Sequence, residues 1–398
     1  MVNTRNVAIV GGGITRWGKR EATWKDLVQE AGKATFDNVE GVGPKDIEGL
    51  FVGATQPERF AFQSHVAPLV AELLGIDATK MISRTELACA SGQAAIRYAW
   101  LAIASGQLDT ALVLGVEKMN LAEGYMEEAQ TSMANVLDRE FDGVNGFTAP
   151  PYFAMIAQRH MHEYETTREQ LAMVSAKNKR HAANNPYAQF QREVTVEDVI
   201  DSYPIAPPLC LFDCSGFTDG AAGVILMSEE KAKEVTDTPA WVLGSGQACL
   251  SGNSMNNLPS MTTWEQARVA AEEAYAQAGI VDPVEEIDIA EIHDCFSISE
   301  IMEYEDLGWV EKGKGGEFVE EGRSEIGGDI AVNTRGGLLG CGHPLGATGV
   351  AQALEIVDQF QGNVPQGRQV DDPQVGLTHN LSGSASVHSI MIYGRDPR

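Results

Sequence analysis

Short apolar runs alternate with amphipathic stretches along the whole 398-residue chain. Residues 6–10 read as a strand, and Gly11, Gly12 and Gly13 follow it as an expected tight exit turn. Helical periodicity covers 24–36, and 49–52 reads as a second strand. An alanine-rich helix is expected over 92–104, stopped by Gly106, and a strand over 111–116. Such alternation implies an α/β fold with helices covering a mixed sheet. A second cycle opens near Ala240, where Trp241 to Gly246 again run as a strand into glycines. A helix over 263–278, a strand over 287–292, a small-residue helix over 346–359 and a strand over 375–381 follow. The same order therefore occurs twice, in units too long for a solenoid, which points to a duplicated fold. A polar stretch over 120–203 fits no strand pattern and is expected to be an α-rich functional excursion. The expected divisions are 1–119, an inserted 120–203, a closing 204–235 that completes the first half, and a second half over 240–398.

The apolar share, 43%, is spread evenly and excludes a disordered chain. No run approaches the roughly 20 apolar residues of a membrane span. Residues 7–10 are too short for a secretory core, and Asp396-Pro397-Arg398 carries no address, so a cytoplasmic protein is expected. Lys and Arg total 29 against 56 Asp and Glu, a net charge of -27 that repels nucleic-acid phosphates. The acids are dispersed, for example Glu229, Glu230, Glu285, Glu286, Glu320 and Glu321. With 12 Lys against 17 Arg, the composition fits the surface of a halophile's protein. Cys89, Cys210, Cys214, Cys249, Cys295 and Cys341 are irregularly spaced and are expected to be reduced thiols.

Three segments carry candidate chemistry. The glycine triplet does not, because Arg16 breaks the dinucleotide fingerprint. Cys89 stands just before the helix over 92–104, where the positive end of the dipole is expected to lower its pKa and prepare a nucleophile. His343 lies in the glycine-rich loop from Gly336 to Gly349, with Pro344 fixing the backbone before the next helix. A loop imidazole there can take a thiol proton or donate to an oxyanion. His293 and Cys295 follow a strand one residue apart, and continued strand geometry would point them the same way. Cys341 and His343 repeat that spacing, but a one-residue spacer is short for structural zinc, so no metal is expected. Packing is expected of Cys210 and Cys214, and core positions of Trp17 and Trp24.

Taken together, Cys89-Ala90-Ser91-Gly92, His293-Asp294-Cys295-Phe296 and Gly342-His343-Pro344-Leu345-Gly346-Ala347-Thr348-Gly349 resemble the ordered motifs of thiolases. More narrowly, the chain is similar to the sterol-carrier-protein type and to archaeal acetyl-CoA C-acetyltransferases. Residues 184–188 and 213–222 share that likeness. The resemblance implies a duplicated five-layer α/β/α/β/α fold with an inserted loop domain for acyl-CoA. It also implies Claisen chemistry on coenzyme A thioesters, with no permanently bound cofactor and no metal.

In that chemistry Cys89 would carry the acyl group and His343 would take its proton and bind the second substrate's thioester oxygen. Many thiolases take the α-proton with a cysteine near the C-terminus, but 379–384 here read His-Asn-Leu-Ser-Gly-Ser. The resemblance therefore moves that role to Cys295 and gives His293 a place near the oxyanion. A second oxyanion hole would come from the backbone N–H groups of Cys89 and Ser382, with Gly383 beside them. A homodimer or homotetramer is implied, along with a small zinc-ribbon and OB-fold partner. The competing readings are a non-catalytic acyl-CoA scaffold and a ketoacyl or HMG-CoA synthase-like condensing enzyme. Cys295 counts against the synthase and Cys89 against a retro-aldolase, while Cys341 takes no assignment.

Overall fold

The structure, a computed structural model, describes residues 5–120, 131–250 and 253–397. Its strands are β1 Val7–Ile14, β2 Gly49–Gly53, β3 Met81–Thr85, β4 Thr110–Lys118, β5 Pro204–Ala206 and β6 Leu209–Cys210. They continue with β7 Asp219–Ser228, β8 Ala240–Ala248, β9 Ile289–Glu291, β10 Ala331–Val332, β11 Val375–Ser382 and β12 Val387–Gly394. The longer helices are α1 Trp24–Asn38, α2 Ser91–Ala104, α3 Ala149–Tyr164, α4 Arg168–Ala183, α5 Glu265–Ala278, α6 Ser297–Asp306 and α7 Leu345–Gln361. The expected helices and strands of both cycles are present, most within two residues of the expected ends.

Ten strands form one sheet in the order β10-β9-β11-β12-β8-β1-β7-β4-β2-β3. Read outward from its centre, each half repeats one plan: first strand, fifth, fourth, second, third. In both halves the first four strands point the same way, and the fifth lies between the first and the fourth and runs antiparallel to both. The halves meet at a short antiparallel seam, Ala8 with Trp241 and Ile9 with Ala240. This is the expected duplication, made visible as matching topology.

Layering follows from where each helix buries its apolar side. α1 packs on β1 and β7, and α5 takes the equivalent place on β8 and β12. α2 and α7 pack on each other between the halves, and α7 touches strands of both. Fifteen of its 17 residues are buried, so it is a central helix rather than an amphipathic surface one. Helix, sheet, paired central helices, sheet and helix make the five layers.

The glycines after the first apolar run do not form an exit turn. β1 continues through them to Ile14, with a register shift between Ile9 and Gly11. Gly13 is small because α1 lies against the strand, where a Cβ would strike the backbone of Ala34 and Thr35, whereas one on Gly12 would strike the Gly223 carbonyl of β7. Gly244 and Gly246 do the same for α5, where Ala274 and Ala270 carbonyls approach. Between β4 and β7 the described part of 120–203 contains α3, α4 and a short helix, Val196–Ile200; residues 121–130 lie outside the described residues. α6 was not foreseen. All ten of its residues are buried, including Glu300, Glu303, Glu305 and Asp306. Their partners come from elsewhere: Lys177 lies 3.0 Å from Glu300, His160 3.1 Å from Glu305, and Lys312 2.6 Å from Asp306. Such partners are what make buried carboxylates tolerable. By contrast Glu229, Glu230, Glu285, Glu286, Glu320 and Glu321 all keep solvent contact. No described helix is long and apolar enough to cross a membrane.

Candidate active site

Cys89 sits on a tight strand-to-helix turn after β3. Ala88 precedes it in the left-handed region, φ 43°, which an alanine adopts only when held there. The holding groups are local. Ser91 Oγ donates to the Ala88 carbonyl at 2.6 Å and accepts the Leu87 N–H at 2.8 Å, while Thr55 Oγ1 donates to the same carbonyl at 2.9 Å. The turn ends at Ser91, where α2 begins.

α7 brings His343 to the same place from the other half. Its entry loop is anchored by Thr218 Oγ1, which accepts the His343 N–H at 2.9 Å. Gly346 N–H donates to the buried Glu117 carboxylate at 3.0 Å, and that group also accepts the Thr55 N–H at 2.9 Å. The crossing of α2 and α7 is made of glycines. A Cβ on Gly92 would lie 2.7 Å from the Gly346 carbonyl, and one on Gly346 would lie 2.5 Å from the Gly53 carbonyl. Only small residues let the two helix starts approach this closely.

The tautomer of His343 follows from its neighbour. Thr348 Oγ1 gives its proton to the Pro344 carbonyl at 3.1 Å, so at 2.7 Å from His343 Nδ1 it accepts. Nδ1 therefore carries the hydrogen and Nε2 keeps a free lone pair, with no hydrogen-bond partner of its own. Burial holds this imidazole down to about 3, so it is neutral and able to accept a proton at any ordinary pH. Thr348 stood in the glycine loop, but nothing in the sequence marked it as the partner of the histidine.

His293 and Cys295 reach the site by a different geometry from the one expected. β9 ends at Glu291, and a tight turn follows in which the Cys295 N–H donates to the His293 carbonyl at 2.9 Å. Asp294 pins that turn to the glycine loop by accepting the N–H groups of Leu338 and Leu339 at 2.6 and 3.2 Å. The rings of His293 and His343 meet edge to face, centroids 4.9 Å apart. Ligand atoms of Cys89, His293 and His343 all lie within 4.8 Å of one another. Linear spacing had weighed the wrong neighbours for metal binding, since this donor set combines residues from three segments. A thiol and two imidazoles so placed could ligate a soft cation or run acyl transfer.

The thiols depart from expectation. Burial pushes Cys89 up to about 12, outweighing the N–H groups of Gly383 and of Cys89 itself that favour its thiolate. The helix start does not lower this pKa as expected, because burial of the thiol outweighs it. The N–H facing the sulfur from the C-terminal half belongs to Gly383, φ 57°. Cys295 is pushed well above its ordinary range, first by burial and then by nearby Cys89, while the Ser299 hydroxyl works the other way.

Cys89, His343, Cys295 and Gly383 open on one cavity of about 380 Å³. Its walls are apolar, among them Met119, Met133, Phe217 and Leu345, with Phe153 stacked on Phe296 at 4.6 Å. Cys214, expected only to pack, also lines it. Cys341 does not: its thiol donates to the Arg335 carbonyl at 2.7 Å and accepts from Asn185 at 3.3 Å, a structural placement. Cys210 is half-buried near the Ile200 carbonyl, and Trp17 and Trp24 lie in the core.

Comparison with known proteins matches residues 7–205 to the family described as "Thiolase, N-terminal domain" and 246–395 to "Thiolase C-terminal domain-like". An acetyl-CoA acetyltransferase of Methanothermobacter thermautotrophicus is 42% identical over 393 residues, covering 98% of this chain and 100% of that one. Sterol carrier protein 2 of Oryctolagus cuniculus is 31% identical over 413 residues, covering 98% of this chain and 72% of that protein. Among solved structures, an "Ltp2-ChsH2(DUF35) aldolase" superposes with a TM-score of 0.83 at 28% identity, covering 100% of both chains.

Proposed function

The chain belongs to the thiolase family, and from that premise we propose that it converts two acetyl-CoA into acetoacetyl-CoA and free coenzyme A, reversibly, through an acyl-Cys89 intermediate. The observation that carries this reading is the convergence of Cys89, His343 and Cys295 from both halves on one apolar cavity, with the His293 ring packed edge to face on His343. Acetyl-CoA as substrate is supported by the acetyltransferase relative at 42% identity. No permanently bound cofactor is needed for these steps.

The steps follow from the proton inventory. His343 Nε2 takes the Cys89 proton as the sulfur attacks the thioester carbonyl, and returns it to the departing coenzyme A thiol. Cys89 now holds the acetyl group and can no longer be an anion. His343, neutral again once coenzyme A has left with its proton, takes the Cys295 proton on the free Nε2. Cys295 thiolate then takes the α-proton of the second acetyl-CoA, whose thioester oxygen lies against His343 and His293. The enolate carbon attacks the acyl-Cys89 carbonyl. The resulting oxyanion is held by the N–H groups of Cys89 and Gly383. Collapse expels Cys89 thiolate, which recovers the proton held by His343, and two acetyl-CoA have become acetoacetyl-CoA and coenzyme A.

The finer surroundings belong to the same proposal. Residues 120–203 form the acyl-CoA loop domain between 1–119 and 204–235, and 240–398 complete the second half. β3 ends the sheet as an edge with Ile82 exposed, which suits a second copy of the chain in a dimer or tetramer. The DUF35 component named with the aldolase neighbour supports a small partner protein for this chain too. Dispersed acidity supports work in the salt-rich cytoplasm of a halophile.

Replacing Cys295 separates the two halves of the reaction. Cys295→Ala should still gain an acetyl group on Cys89, while condensation falls by roughly 10²-fold or more, the usual size of a general-base contribution. Full condensation in that variant would remove Cys295 from the mechanism.

A further inference from the structure

Beside the cavity runs a buried row of groups that the reaction above does not use. Glu303 on α6 accepts the His293 N–H with Oε2 at 2.9 Å. The same oxygen lies 3.4 Å from His379 Nδ1 on β11. His379 Nε2 is 2.9 Å from His388 Nδ1 on β12, with the two rings stacked at 5.1 Å. His388 Nε2 is 3.1 Å from the Ala385 carbonyl. All of these side chains are fully buried.

The hydrogens can be placed along the row. A carbonyl only accepts, so His388 Nε2 donates to Ala385. Burial keeps both imidazoles neutral, so His388 Nδ1 is bare and accepts from His379 Nε2–H. His379 Nδ1 is then bare in turn and faces Glu303, whose carboxyl burial and Glu300 keep protonated. Each ring is left with one tautomer and one orientation. The far end of the row is the turn between β11 and β12, where Ala385 and Gly383 both have positive φ, 58° and 57°. That turn presents the Gly383 N–H to Cys89. The near end is the turn that carries His293 and Cys295.

We propose that Glu303, His379 and His388 are positioning residues that fix the Gly383 turn relative to the His293–Cys295 turn, and so hold the oxyanion donor in register with the acid–base groups. Backbone donors contribute to catalysis only when aimed at the developing charge, and losing one typically costs a factor of about 10²–10³ in kcat. An alanine at positive φ, as Ala385 is, keeps that conformation only when its surroundings hold it. The Ala385 carbonyl is where the row grips it. The catalytic consequence rests on the proposed thiolase reaction, but the geometric one does not.

The test compares His388→Phe, which fills the space without either hydrogen bond, with His388→Gln, whose amide can donate to Ala385 and accept from His379. Two readouts are needed. The first is condensation kinetics, where His388→Phe should lose at least tenfold in kcat with KM within about twofold, and His388→Gln should recover most of the loss. The second is alkylation of Cys89 by iodoacetamide at pH 8, followed by peptide mass spectrometry, which requires no acyl substrate. It should slow at least threefold in His388→Phe and return in His388→Gln. If His388→Phe does not fold, His388→Asn, too short to span the gap, carries the same expectations. A folded His388→Phe with parental alkylation and kcat, or a Gln variant no better than Phe, overturns the proposal. If the parent alkylates as expected yet shows no condensation, the proposed reaction fails while the brace still stands or falls on the alkylation comparison.

Discussion

The reacting thiol and its base are both neutral in the empty site, and this distinguishes Cys89 from a pre-ionised nucleophile. With the thiol near 12 and the imidazole near 3, the pair exchanges its proton only when a substrate carbonyl is present to receive the negative charge. The sign for chemical modification follows. Thiolate is the reactive form, so alkylation of Cys89 should rise about tenfold per pH unit from pH 7 to 10. It should show no levelling near 9.0, the ordinary thiol value, and no inflection from His343, which stays neutral throughout. A plateau near pH 9, read by peptide mass spectrometry, would show that burial does not control this thiol. These residues were legible to different degrees. Cys89, His343, His293 and Cys295 stood in motifs that resemblance linked across the chain. Ser382 and Gly383 came together from the same resemblance, and which of their N–H groups faces the sulfur depends on a positive φ that composition does not encode. The row from Glu303 to His388 was invisible, since its contacts join three elements by side chains with no shared spacing.

Among the elements, α2 and α7 matter most, because they carry Cys89 and His343 to a common point. Gly92→Ala tests that crossing. In an isolated helix the change would stabilise by about 1 kcal/mol. Here the new Cβ meets the Gly346 carbonyl at 2.7 Å and the Val350 N at 3.1 Å, both on α7. Overpacking of this kind costs roughly 1–3 kcal/mol, so the packing term wins. The variant should melt lower than the parent and lose acylation as the two helix starts separate; a gain in Tm would contradict the close approach. Element order was readable from periodicity, because strands and helices of this fold are locally consistent. What periodicity missed has a common cause in long-range contact. Gly11 to Gly13 look like a turn because the groups that crowd them, Thr35 at Gly13 and Gly223 at Gly12, lie far along the chain. The carboxylates of α6 suggest a surface, whereas Lys177, His160 and Lys312 partner Glu300, Glu305 and Asp306 from other elements.

At the scale of the whole molecule, matching halves joined at a short seam explain why a site can form at their centre, where no single unit supplies all the groups. The surface carries a separate consequence. A net charge of -27 opposes the compact state through self-repulsion, which salt screens: the Debye length falls from about 10 Å at 0.1 M to about 3 Å at 1 M. Tm should therefore rise by several degrees between 0.1 M and 2 M KCl in a melting series, and a flat or falling Tm would count against the halophile reading. The central claim is that Cys89 carries the acyl group. Intact-mass spectrometry after incubation with acetoacetyl-CoA in high salt tests it most directly, with Cys89→Ala as control. The account predicts one added acetyl group on the parent and none on the variant. An acetyl group that persists in Cys89→Ala, or a folded parent chain that gains none, would contradict it.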